Sequence, residues 1–335
     1  MQAFKYFLFL LLITSFSTHA YAKSAKEVEF EKLDLALTVN GTDIATDTKV
    51  AHRFARMVEE ASGGNIKVSV FPNDQLAGGN ATKGIEMVAV GAVDLAAYAS
   101  STMSVLDERL LVATIPWAFD SYKNAREVID GAGGDYYRQV LADQGLVYLG
   151  SAHNGFRQIS NSKKEVKTPD DVRGLKIRVP GGEVYIRTFK AFGADPVAMS
   201  WSEAFTAIQQ KTIDGQENGF SVTNSAKVYE IQKYMTVWNY TYENYLFVAN
   251  SKIFNNLSPR TQSLIREAAL EACQWGRNLV ESEEEELREK FEKHGVKVTV
   301  LSPDELAPFK AVVSELRDYL KNKYGRDACK AFGIE

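Results

Sequence analysis

Residues 174–220 read GLKIRVPGGEVYIRTFKAFGADPVAMSWSEAFTAIQQKTIDGQENGF. Lys176 to Val179 forms a short strand, because a β-branched pair stands between the turn residue Gly174 and the strand-ending Pro180. Arg178 therefore sits at a strand end. Val184, Tyr185, Phe189 and Phe192 then recur at near-helical spacing, and Ala194 to Ala198 returns as a second short strand. Ser200 and Glu203 make a capping box that starts the next helix. Ile213-Asp214-Gly215-Gln216-Glu217-Asn218 closes the unit at a third strand end. Two strand ends thus present a fixed cation, Arg178, and a neutral amide, Asn218, to one cleft. A carboxylate suits that pair, since a guanidinium binds it bidentately and the amide donates to a remaining lone pair.

Three ordered words in this stretch, GLKIRVP at 174–180, GADPVAMSWSEAFTAIQQ at 193–210 and IDGQEN at 213–218, resemble the signature region of the TRAP (tripartite ATP-independent periplasmic) solute-binding proteins of the DctP-like family. The likeness extends more loosely to SGGNIKVSVFPNDQL at 62–76 and NGFRQISNS at 154–162. It implies a two-lobed periplasmic-binding-protein fold and a carboxylate ligand. It also implies that Arg178 salt-bridges that carboxylate, that Arg157, Asn218 and Asn40 stand at pocket positions, and that Trp201 matches an aromatic pocket position. Three departures stand out. Ala99 replaces the acidic residue of the sialic-acid-binding members, Gly219 replaces the proline that usually follows the Glu-Asn pair, and Gly181-Gly182-Glu183 replaces bulkier residues after the Arg178 strand.

Working outward, the chain alternates strands and helices. Leu35 to Val39 reads as a strand running into Asn40-Gly41-Thr42, Asp47 to Ser62 as an amphipathic helix, Ile66 to Val70 as a strand, Thr82 to Val90 as a helix and Asp94 to Tyr98 as a strand before Ala99-Ser100-Ser101. Tyr122 to Gln144 reads as one helix, Leu146 to Leu149 as a strand, and Gln158 to Ser160 as another after His153 to Arg157. A helix from Phe220 to about Gln232, strands over Tyr234 to Tyr240 and Tyr245 to Ala249, and a strand over Val296 to Val300 follow. This β-α-β alternation predicts an α/β protein whose mainly parallel sheets carry helices on both faces and bind ligand at the carboxyl ends of the strands. Ser258-Pro259 opens a helix expected to reach about Lys293, with Leu264, Ala268, Ala272, Trp275 and Leu279 as its apolar stripe. At 1.5 Å per residue it is roughly 50 Å long, enough to brace two lobes. The division expected is 33–154 plus 244–283 for lobe I and 155–243 plus 284–335 for lobe II.

The 335 residues, 45% of them hydrophobic, are enough for two buried cores. Lys5, the apolar run Tyr6 to Ile13 and Ala20-Tyr21-Ala22 make a secretory signal over residues 1–22, with an apolar core shorter than the roughly 20 residues of a membrane span. Its removal takes the formal charge from −4 to −5. No basic patch calls for nucleic acid. Cys273 and Cys329 are either a disulfide of an exported chain or two buried thiols.

The candidate ligand-binding residues are Arg178, Asn218, Arg157, Trp201, Asn40, Phe220, Ser100 and Glu183. Two arginines facing one cleft would make it strongly anion-selective; the alternative for Arg157 is a structural ion pair between lobes. Trp201 either packs on the ligand or belongs to the core. Glu183 either reads a ligand hydroxyl or ammonium or is an exposed acid at a helix N-terminus. HExxH, GxSxG, P-loop and zinc-ligand spacings are missing, so no catalytic residue, metal or cofactor is assigned. The expected role is capture of an organic acid, such as a sugar acid or dicarboxylate, by a monomeric periplasmic receptor for TRAP permease subunits. A secreted hydrolase of a small anion and a receptor feeding a sensor kinase are the alternatives.

Overall fold

The computed structural model describes residues 29–334, and the signal expected over residues 1–22 lies outside them. Among the described residues eleven strands form two sheets. The first contains β1 (Leu33–Val39), β2 (Ile66–Phe71), β3 (Leu95–Ala99) and β4 (Leu146–Phe156). The second contains β5 (Gln158–Asn161), β6 (Lys176–Val179), β7 (Asp195–Ala198), β8 (Gly215–Asn218) and β9 (Tyr234–Val237). The chain then returns to the first sheet as β10 (Tyr242–Asn250) and ends in the second as β11 (Lys297–Val300). The spatial orders are β2-β1-β3-β10-β4 and β11-β9-β5-β8-β6-β7.

Each sheet is parallel but for one strand. β10 runs against both β3 and β4, and β5 runs against both β8 and β9. Both reversed strands follow directly on a passage between sheets, which delivers the chain from the opposite end. The first passage is short: β4 ends at Phe156, β5 starts at Gln158, and Arg157 lies between them. The second spans residues 238–241. One apolar core runs through both passages, taking in Phe156, Ile159, Ile177, Trp238, Tyr240 and Tyr242.

Helix Pro259–Lys293 matches its expected limits, with Ser258 Oγ accepting from Thr261 N and proline in the first turn. Its early turns pack on helix Thr46–Ala61 and β4, and its later turns on helix Phe220–Ser225 and β11. The buried seam is Ile265, Ala268, Ala269, Ala272, Cys273, Gly276 and Val280. Leu264 and Trp275 flank the seam as half-buried residues, so the apolar stripe is rotated from the expected one. Small residues occupy the seam because Val50 and β4 approach closely there: a Cβ on Gly276 would lie 2.4 Å from Val50 Cγ2.

Other expectations shift. The helix expected over Tyr122 to Gln144 is two, Tyr122–Asp130 and Ala132–Asp143, divided at Gly131. Gly131, Gly133 and Gly134 follow one another too closely for an uninterrupted helix to be favoured. The helix expected to reach Gln232 stops at Ser225, and Val228–Glu230 is a single tight turn entered through Lys227 in the left-handed region (φ 53°). Cys273 and Cys329 are free buried thiols in separate cores, not a disulfide. Among the described residues no helix is long and apolar enough to cross a membrane.

Candidate functional site

A cleft opens where the carboxyl ends of β1, β3, β6 and β8 meet the ends of β4 and β10. Its volume is about 440 Å³ with the solvent at its mouth included. The first sheet contributes Asn40, Gly41, Asp47, Ala99, Ser101, Thr102, Asn154, Glu243 and Tyr245; the second side contributes Arg178, Trp201, Asn218, Val222 and Ser225, with Arg157 at the passage.

Arg178 is held at the end of β6 by its neighbours Val197 of β7 and Gln216 of β8. It is only 4% exposed. Its Nε and Nη2 donate to Met199 O at 3.1 and 2.9 Å, where the chain turns from β7 into helix Trp201–Gln209. Ser200 and Glu203 form the expected capping box of that helix, which sets Trp201 with its ring centre 5.2 Å from the Arg178 guanidinium carbon. No carboxylate of the described residues pairs with Arg178, and Nη1 donates to none of them. Burial pulls its pKa down to about 10, so it remains charged at neutral pH. Asn218 ends β8, is buried, and lines the cleft beside it.

Arg157 is different. Nε donates to Glu217 Oε2 at 2.5 Å, Nη2 to Glu217 Oε1 and to Glu217 O at 2.7 Å each, and Nη1 to Glu243 Oε2. All three side chains are buried. Burial works against the Arg157 charge, but Glu217 and Glu243 outweigh it and hold the guanidinium protonated. Burial likewise raises the Glu217 carboxyl, with Arg157 opposing. Tyr240 Oη donates to Glu217 at 2.6 Å, and Glu243 also accepts from Ser101 N at 3.0 Å and Asn154 Nδ2 at 2.6 Å. Arg157 therefore touches the cleft as the centre of an internal ion triad, and the expected pair of open guanidinium groups is a single one.

Asn40 lines the cleft with Nδ2 donating to Asp74 Oδ2 at 2.5 Å. Three candidates lie elsewhere. Phe220 is a core residue stacked 5.8 Å from Phe291, because the helix that it starts turns its ring toward the long helix. Ser100 is fully buried beneath Ser101 and Thr102, which take the lining places. Glu183 sits in the first turn of helix Glu183–Ala191, accepting from Tyr319 Oη at 2.9 Å and paired with Arg187 and Lys323 on the outer surface. These contacts hold its carboxyl down at about 2.

The residues that sequence reasoning passed over are Asp47, Asn154, Glu217, Glu243 and Tyr245. Asn154 and Glu217 lay inside words already singled out, but their direction was not readable. Asp47 had one local signal. It follows the turn Asn40-Gly41-Thr42 at the start of a helix, where a carboxylate meets free backbone N–H groups. Among the described residues no group of three or more His, Cys, Asp or Glu side chains is placed to hold a metal.

Residues 39–323 match the family model DctP, described as bacterial extracellular solute-binding protein, family 7. The 2,3-diketo-L-gulonate-binding periplasmic protein YiaO of Escherichia coli is 31% identical, over 99% of this chain and 98% of its own. Among solved structures, the sugar acid binding protein DctPAm of Advenella mimigardefordensis, in complex with galactonate, is 30% identical with a TM-score of 0.87, covering 91% of this chain and 98% of its own. A TRAP periplasmic solute binding protein of Ralstonia eutropha with bound (S)-2-acetolactate is 31% identical with a TM-score of 0.86, over 90% and 98%. The fold, its paired sheets and the model match agree, and the chain belongs to the DctP family of bacterial extracellular solute-binding proteins.

Proposed function

We propose that this protein captures an organic acid anion, a sugar acid or a dicarboxylate, in the periplasm and delivers it to a TRAP-type membrane permease. One observation carries the reading: Arg178 is a buried guanidinium with no carboxylate partner among the described residues. A buried charge is normally paired, and a ligand carboxylate would complete Arg178. Nη1 is open to receive it, Asn218 stands beside it, and Trp201 covers one side. The relatives named above are described with 2,3-diketo-L-gulonate, galactonate and (S)-2-acetolactate, each a carboxylate.

The protein acts as a carrier and not as a catalyst. In support, the carboxylates of the cleft already accept hydrogen bonds from the protein: Asp47 from two backbone N–H groups and Glu243 from Arg157, Asn154 and Ser101. We divide the lobes at 33–154 plus 244–283 and 155–243 plus 284–335, with β4 and β10 carrying the first sheet on to Phe156 and Tyr242 at the two crossings. A ligand that contacts both walls favours their closed arrangement, as a population shift requires, and a monomer suffices for this. Thermal-shift screening of an organic acid library, followed by titration calorimetry and product analysis, tests the proposal. Saturable binding with the acid recovered unchanged is expected. Turnover, or the absence of binding by any carboxylate, overturns it.

A further inference from the structure

Resting on the reading that an acid binds at Arg178, the charges around the cleft decide which class of acid fits. Four charged side chains line it: Arg178, Arg157, Asp47 and Glu243. Arg157 is outnumbered by its two carboxylate partners, Glu217 and Glu243. Arg178 is therefore the one lining cation of the described residues without a carboxylate partner. Lys227 stands in an adjoining groove with Asp74 and Glu230 and is exposed to solvent.

The wall built on the first sheet carries acceptors. Asp47 is 1% exposed; its Oδ2 accepts from Gly41 N at 2.7 Å and its Oδ1 from Thr48 N at 2.9 Å. Each oxygen keeps a further lone pair. The carboxylate nests so closely that a Cβ on Gly41 would lie 2.1 Å from Asp47 Oδ1. Asn154 adds a second acceptor. Its Nδ2 donates to Glu243, while its Oδ1 is buried with no hydrogen-bond partner among the described residues. An unpaired buried acceptor is unfavourable until a donor reaches it.

We propose that Asp47 is a specificity-determining residue, and that the cleft takes a monocarboxylate bearing hydrogen-bond donors, hydroxyl or ammonium, and rejects a dicarboxylate. The single carboxylate meets Arg178, and the donors meet Asp47 and Asn154. A second carboxylate would face Asp47 with no free cation between them, and like charges in a poorly solvated site repel strongly.

Titration calorimetry on the wild-type protein and on Asp47→Asn would use matched acids of three to six carbons: aldonates, ω-amino acids, plain alkanoates and α,ω-dicarboxylates. Measurements at pH 8 keep Asp47 ionised, since burial raises its carboxyl only to about 6. A donor-bearing acid should bind about tenfold or more tighter than the alkanoate and the dicarboxylate of its length. Whether aldonate or ω-amino acid leads separates hydroxyl from ammonium. Asp47→Asn should shrink the gap to the dicarboxylate by about tenfold. A wild-type dicarboxylate affinity equal to that of the donor-bearing acids overturns the proposal while leaving the carboxylate reading intact, and this ranking decides even if the variant does not fold. An unchanged gap in a folded Asp47→Asn overturns the role of Asp47. Binding of no acid, or full affinity in Arg178→Ala, overturns the carboxylate reading and this proposal with it.

Discussion

The strand end that carries Arg178 and the passage that carries Arg157 adjoin along one cleft, but they treat a buried positive charge in opposite ways. At the passage, two carboxylates and a backbone carbonyl surround the guanidinium. At the strand end, a single carbonyl, Met199 O, accepts from it. Burial is nearly equal, 2% exposed for Arg157 and 4% for Arg178, so exposure does not separate the two. The inventory of partners does. A buried arginine whose needs are met inside the chain holds the fold, and one whose needs are unmet is available to a ligand.

The largest effect expected is on binding at the strand end. Arg178→Ala should weaken acid binding by about 3–5 kcal/mol, roughly a hundredfold to several thousandfold, if the carboxylate pair is desolvated. Arg178→Lys should recover only part of it, because one ammonium does not reproduce the planar fork. The melting temperature of Arg178→Ala should change little; calorimetric titration beside a thermal melt checks both halves of the statement.

At the passage the order should invert. Arg157→Met leaves Glu217 and Glu243 buried without their cation, a loss of about 3–5 kcal/mol of folding stability. Denaturant titration should show a lowered midpoint before any ligand is added. A variant as stable as wild type but unable to bind acid would erase the distinction and place Arg157 with Arg178.

A smaller effect sharpens the account of the passage. Glu284, on the long helix, faces Tyr122 beside Phe156, and burial raises its carboxyl from 4.5 to about 7. The folded state therefore holds this proton more tightly than the unfolded chain. Its contribution to stability is fully present below about pH 4.5 and is lost as pH rises through about 7. Glu284→Gln cannot ionise, so it should gain on wild type by about 1 kcal/mol between pH 5 and pH 8, allowing for the partial exposure of the group. Melting curves at the two pH values test this, and parallel pH profiles would remove Glu284 from the balance.

Much of the local structure was legible because its causes are local. The β-branched pair before Pro180 gave β6, the Ser200–Glu203 box gave a helix start, and Pro259 with Ser258 gave the start of the long helix. The strand ends carrying Arg178 and Asn218 followed from the same signals. The ion triad was not legible, since Glu217 and Glu243 lie 60 and 86 positions from Arg157 and nothing local distinguishes them from the other acids. Glu183 and Phe220 were misplaced for a related reason. Each lies close in sequence to a cleft residue, but a helix turns its side chain elsewhere, Glu183 toward Lys323 and Phe220 toward Phe291.

The place of β10 has a consequence for the order in which the protein can be made. It fills the gap between β3 and β4, strands that end 143 and 86 residues before it begins. A growing chain that has reached residue 240 already contains β1 to β4 and β5 to β9, yet its first sheet is in two pieces, with unpaired edges on β3 and β4. Only when Tyr242–Asn250 has emerged can those pieces join, and the second sheet still awaits Lys297–Val300 at its edge. The first sheet can thus close before the second, but neither closes until the chain is past β10, and a shorter nascent fragment keeps unpaired strand edges exposed.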